Sequence, residues 1–178
     1  MNSEERSALL EILKNNENRL MTSIDKSSET VFLWKPSPTA WSMAEIVEHI
    51  GNTEAGLLQS IQQKGENIRD TIPATFPEDK IIRTITNRSR KVQAPEFLIP
   101  TGRFKSKAEA MAGFKKIRLQ VENFVKTTDL PLEKIAFNHF ILGLIDAKGW
   151  IVFMAGHCER HILQMEENKA AFNEKEVD

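Results

Sequence analysis

Cysteine is nearly absent from this chain of 178 residues: Cys158 stands alone, so no intramolecular disulfide can form. That suits a reducing compartment, and a cytoplasmic location is the expectation. Charge of one sign is lacking too, since the formal net charge is −1. No global basic field of the kind used to hold nucleic acid follows from such a balance. Long apolar runs are missing as well. The most apolar region, Phe140 to Gly156, is broken by Asp146 and Lys148 and is too short for a membrane span. The amino terminus, Met-Asn-Ser-Glu-Glu-Arg, is polar and has no apolar secretory core. Neither internal repeats nor low-complexity tracts occur. What remains is an ordinary globular composition, 28% charged and 40% hydrophobic, expected to form a single domain over residues 1–178.

Helical periodicity marks four long segments. The first runs roughly from Glu4 to Lys26 on a stripe of Leu9, Leu10, Ile12, Leu13, Leu20 and Ile24, before a linker holding Pro36 and Pro38. Ser42-Met-Ala-Glu45 reads as a capping box opening the second helix, Met43 to about Lys64. Ser106-Lys-Ala-Glu109 reads as another, opening a third helix to about Thr127. Its expected stripe is Ala110, Met111, Phe114, Ile117, Leu119, Val121, Phe124 and Val125. Asp146 is the predicted N-cap of the fourth helix, which continues to about Ala171. Strand-like alternation is weak throughout, so the predicted fold is an all-α four-helix bundle. A long connection joins helices two and three, with a short helix near Asp79 to Asn87; a connection of this length is often functional.

The four histidines carry the chemistry. His157 and His161 lie one helical turn apart on one face, and His49 falls on the apolar stripe of the second helix with Ile46, Ile50, Thr53 and Leu57. Three imidazoles from two facing helices would hold a metal and leave a position open, as catalytic sites do. Imidazole donors suit zinc, nickel, iron or copper. Ordinary core or surface histidines are the alternative, because an i, i+4 pair is a weak motif by itself. His139 could line the mouth of such a site, shuttle a proton or cap a turn, the last without ligation. Cys158 sits about 100° round the helix from His157 and is expected to be apolar filling.

Lys80, Arg83, Arg88, Arg90, Lys91, Arg103 and Lys105 make the long connection basic, with Glu96 the acid among them. Folded over the bundle end, this segment could favour an anionic small molecule; the alternative is scattered charge in solvent. It lacks the interleaved aromatics of a nucleic-acid surface.

Three pieces in order resemble the DinB-like superfamily of four-helix bundles, which includes the bacillithiol transferase type. They are Trp41-Ser-Met-Ala-Glu-Ile-Val-Glu-His49-Ile, Asn138-His139-Phe-Ile-Leu-Gly143 and His157-Cys-Glu-Arg-His161-Ile-Leu-Gln164. Gln93-Ala-Pro-Glu-Phe is similar to a loop of some members. The resemblance implies a divalent metal, typically nickel or zinc, on His49, His157 and His161. It also implies frequent dimerisation, and the apolar first and third helices could supply a homodimer face. The implied activity is transfer of a low-molecular-weight thiol to an electrophilic small molecule, the ion removing the thiol proton. Metal-dependent hydrolysis is the second expectation, with His139 or Glu54 as base. A non-catalytic bundle stiffened by metal is the third.

Overall fold

Polar side chains at the chain turns decide where the helices begin. In the computed structural model, which describes residues 1–66, 68, 72–89 and 92–177 (the side chains of 176 and 177 excepted), helix α1 spans Ser3–Asp25. Asn2 accepts from the Glu5 amide while the Glu5 carboxylate accepts from the Asn2 amide, a reciprocal capping box. Ser42 and Glu45 close the predicted box in front of α3, Met43–Gly65. Between them lies α2, Glu29–Leu33, capped by Ser28. Five residues are too few to display a period, so this element had no sequence signal.

Helix α4, Glu78–Thr86, occupies the predicted short helix. Helix α5, Lys107–Thr127, starts at Ser106, whose hydroxyl accepts from the Glu109 amide. The reciprocal half of that box is displaced, because the Glu109 carboxylate takes the Lys105 amide instead. Helix α6, Ala147–Val177, opens with Asp146 accepting from the Gly149 amide and runs past the expected end at Ala171.

A small antiparallel hairpin joins α5 to α6. Strand β1, Ala136–His139, pairs with β2, Gly143–Asp146, in the register Ala136↔Asp146 to His139↔Gly143. Gly143 has φ of 75°, where a Cβ would be strained, and so permits the return of the chain. Four-residue strands show too little alternation to be read from sequence. They decorate the helical bundle without changing its class.

Helices α1 and α3 each pack mainly against both α5 and α6, so α1 and α3 occupy opposite corners of the bundle. Helix α4 lies along the outside of α6. Ile82 Cα comes within 3.3 Å of where a Cβ on Gly156 would sit, a close approach that glycine permits.

The core divides into two apolar clusters. One gathers Leu9, Leu13, Leu58, Ile61, Val121, Val125, Ile151 and Met154; the other gathers Leu20, Ile46, Ile50, Phe114, Cys158 and Ile162. At the level between them, Arg118 donates to both carboxylate oxygens of Glu54, from Nε at 3.0 Å and from Nη2, and its Nη1 donates to Leu13 O at 2.7 Å. Both side chains are fully buried. The actual stripe of α5 is Ala110, Phe114, Arg118, Val121 and Val125. Leu119, expected on that stripe, is 55% exposed, and the arginine beside it takes the interior place. Arginine can do so because the carboxylate and a carbonyl accept its fork of donors.

Removing one partner leaves the other charge buried. Arg118→Met should therefore lower the unfolding free energy by about 3–5 kcal/mol. The paired Glu54→Leu/Arg118→Met protein should recover most of that loss in urea unfolding. Equal destabilisation of the single and double variants would contradict the buried pairing.

Candidate metal centre

Helices α3 and α6 face one another across the second apolar cluster, and their inward faces carry the three histidines. His49 is 3% exposed and His161 7%, while His157 retains partial exposure. The Nε2 atoms converge: His49 to His157 is 3.2 Å and His161 to His157 is 3.1 Å. Ligand nitrogens at the ~2.1 Å of zinc–imidazole bonds stand about 3.0 Å apart at a right angle and about 3.4 Å apart at a tetrahedral angle. The two separations to His157 fall between those values, and all three ligand atoms lie within 4.8 Å of one another.

Protons alone cannot satisfy this cluster. His49 Nδ1 lies 2.9 Å from Leu98 O, and a carbonyl only accepts, so Nδ1 carries the hydrogen and Nε2 the lone pair. His161 Nδ1 likewise donates to Gln164 Oε1 at 2.8 Å, leaving its Nε2 as an acceptor. Both lone pairs are turned to His157 Nε2, which has at most one hydrogen to offer. The buried His157 Nδ1 has no partner among the described residues, so neither tautomer of that ring is satisfied. A cation at the convergence point would take all three Nε2 lone pairs. The donor set and spacing therefore fit a metal ion.

The model of the DinB superfamily matches residues 12–165. The chain belongs to the DinB superfamily. It is 25% identical over 156 residues to the uncharacterized protein YuaE of Bacillus subtilis (strain 168), covering 86% of this chain and 94% of that protein. Among solved structures it superposes on YfiT from Bacillus subtilis with a TM-score of 0.63 and 11% sequence identity, covering 97% of this chain and 90% of the other. YfiT is described as a probable metal-dependent hydrolase with an unusual four-helix bundle topology. At that identity the likeness concerns the fold.

Within this DinB bundle, aromatic rings wall the histidines. Trp41 lies 4.8 Å from the His49 ring and 6.4 Å from His161, and Phe153 stacks on His157 at 5.5 Å. Asn168 Nδ2 donates to Trp41 O at 2.8 Å and so ties the α2–α3 linker to α6. Burial disfavours the charged imidazoles. It holds His161 down at about 3, with His49 beside it acting in the same direction and the Gln164 acceptor opposing. It also holds His157 well below the usual value, helped by the neighbouring His161 and His49, and it lowers His49 against the Leu98 hydrogen bond. All three rings are thus neutral near pH 7, the form that binds metal.

His139 is not part of the cluster. Its Nδ1 accepts from the Ile141 and Leu142 amides at 3.1 and 3.2 Å, capping the hairpin turn, and its ring packs on Phe153 at 4.9 Å. Burial lowers it to about 4. Of the expected roles for this residue, turn capping is the one the contacts support. Glu54, expected as an alternative base, is instead locked to Arg118. Cys158 is fully buried within the second apolar cluster, and burial pushes its thiol above the ordinary range.

The described basic residues of the connection are engaged in different ways. Arg88 pairs with Glu167, Arg103 stacks over Phe104 at 4.6 Å, Lys105 donates to Gly102 O, and Lys80 and Arg83 are exposed. Arg90 and Lys91 lie outside the described residues. Two contributors had no signal in spacing: the Leu98 carbonyl, a backbone atom, and Glu48, whose carboxylate binds the 101–103 backbone.

Because the folded-state pKa of His161 lies below its unfolded value near 6.5, its stabilising contribution is full above that value. It is lost progressively as pH falls from about 6.5 towards about 3. Metal-free protein should lose about 1 kcal/mol more stability between pH 7.5 and 5.5 than the His161→Gln variant does. Equal losses in the two proteins, measured by urea unfolding, would contradict a neutral buried ring.

Proposed function

We propose that the protein is a divalent-metal-dependent enzyme, with the ion on His49, His157 and His161, that transfers a low-molecular-weight thiol to an electrophilic carbon. The observation that carries the metal reading is the set of Nε2 lone pairs at 3.1 and 3.2 Å that no arrangement of protons satisfies. Such an ion supplies a Lewis-acidic position that lowers the pKa of a thiol or water beside it. Imidazole donors suit zinc, nickel, iron or copper, and nickel or zinc is the choice that the family resemblance supports.

The side chains around the site favour thiol transfer over hydrolysis. Hydrolysis calls for a general base within hydrogen-bond reach of the attacking water. The carboxylates of α3 around His49 are all engaged: Glu45 by the Ser42 amide and Lys35, Glu48 by the 101–103 backbone, and Glu54 by Arg118. His139 uses Nδ1 to hold its own turn. A thiol is intrinsically more acidic than water, so beside such an ion it would release its proton to solvent with less help from a side-chain base. Leu98 and Gln164 hold two rings in one tautomer, and Trp41 and Phe153 exclude water from their sides.

Hydrolysis is the second reading, and the description of YfiT is the observation that favours it. Among the described residues no helix is long and apolar enough to cross a membrane.

Metal-loaded protein should conjugate a chromogenic haloarene in the presence of a panel of cellular thiols. Chelation and His157→Ala should each abolish that rate. Ester cleavage without added thiol, abolished by the same variant, would assign hydrolysis instead. Neither activity with any thiol or ester would contradict an enzymatic role.

A further inference from the structure

Glu48 precedes His49 on α3, so it points about 100° away from the imidazole cluster. It is nevertheless 2% exposed, and its carboxylate is saturated. Oε1 accepts from the Thr101 amide at 2.9 Å and the Thr101 hydroxyl at 2.8 Å. Oε2 accepts from the Gly102 amide at 2.9 Å and the Arg103 amide at 3.0 Å. Consecutive backbone N–H groups curved onto one anion form a nest. Gly102, at φ of 74°, supplies the left-handed residue in that curve. The anion in this nest is the chain's own glutamate.

The same loop reaches the metal centre from its other end. Leu98 closes a single 3-10 turn, Glu96–Leu98, and its carbonyl takes the His49 Nδ1 hydrogen at 2.9 Å. The neighbouring side chains of Phe97 and Ile99 are exposed and give this turn little apolar anchorage. Glu48 and His49 therefore hold the loop at two adjacent points of one helix, the carboxylate with four hydrogen bonds and the imidazole with one.

We propose that Glu48 is a positioning residue for the ligand His49. By anchoring residues 101–103 it keeps the Leu98 carbonyl against Nδ1, and so keeps the Nε2 lone pair directed at His157 and His161. This rests on the metal reading above. Without the carboxylate, three backbone N–H groups lose their acceptor and the loop lifts to hydrate them. Leu98 O leaves with it, and His49 becomes free to carry its hydrogen on Nε2, where it cannot bind metal. Loss of a partner that orients a ligand histidine typically weakens metal binding about 10–100-fold.

The test uses full-length Glu48→Ala and Glu48→Gln proteins whose helix content is checked by circular dichroism. Zinc affinity is measured by competition titration, and the His49 tautomer by nitrogen NMR on metal-free protein. Wild type should show His49 protonated at Nδ1. Glu48→Ala should show a tautomer mixture and zinc binding weaker by about 10–100-fold. Acetate, a carboxylate able to enter the vacated nest, should restore part of the affinity in Glu48→Ala and none in wild type. Glu48→Gln should lie between, since its amide nitrogen faces loop N–H groups, and it decides the matter if Glu48→Ala is not helical. Unchanged tautomer and affinity would overturn the proposal. So would weaker zinc binding with an unchanged tautomer and no acetate rescue, because the glutamate would then act through its charge alone. A wild type that binds no zinc would refute the metal reading, while the tautomer measurement would still decide the loop coupling.

Discussion

Three buried imidazole nitrogens stand at hydrogen-bonding distance with too few hydrogens between them. His49 and His161 each use their only hydrogen elsewhere, on Leu98 O and Gln164 Oε1. The lone pairs left over face His157 Nε2 from 3.2 and 3.1 Å. In a buried setting such an arrangement is unfavourable unless something positive occupies the middle. The rest of the molecule is arranged to keep the rings in that relation. Trp41 and Phe153 pack their faces, and burial keeps them uncharged.

The scaffold behind the site depends on an unusual placement of charge. Glu54 and Arg118 lie between the two apolar clusters and join α3, α5 and, through Leu13 O, α1. With α1 and α3 at opposite corners, this one ion pair connects helices across the bundle. The connection from α3 to α5 then does two things. It lays α4 along α6, with Arg160 donating to Ile85 O at 2.9 Å, and it returns to α3 to present Leu98 to His49. A segment that looks like a mere linker contributes to the candidate metal centre.

Much of this was legible in the amino-acid order. The capping signals at Ser42 and Asp146 locate the ligand helices, and their 3.6-residue stripes turn His49, His157 and His161 to a common interior. The resemblance to the DinB superfamily and the four-helix bundle both stand. Other features had no local signal. Arg118 displaced Leu119 from the interior because a partner carboxylate 64 positions away in sequence made burial of a guanidinium tolerable. Strands of four residues and a helix of five are too short for periodicity to register. Glu48 resembles any helix-surface acid until the 101–103 backbone is seen folded onto it.

The chemistry of the site follows from which groups are free. Carboxylates of α3 near the histidines are spent on structure, and the thiol of Cys158 is buried in the second apolar cluster. The central claim, however, concerns the ion itself. Elemental analysis of protein prepared without an affinity tag, incubated with zinc or nickel and freed of excess, tests it most directly. About one equivalent of metal per chain is expected, lost when His157 is replaced by Ala. Binding of less than about a tenth of an equivalent, or equal binding by that variant, would contradict it.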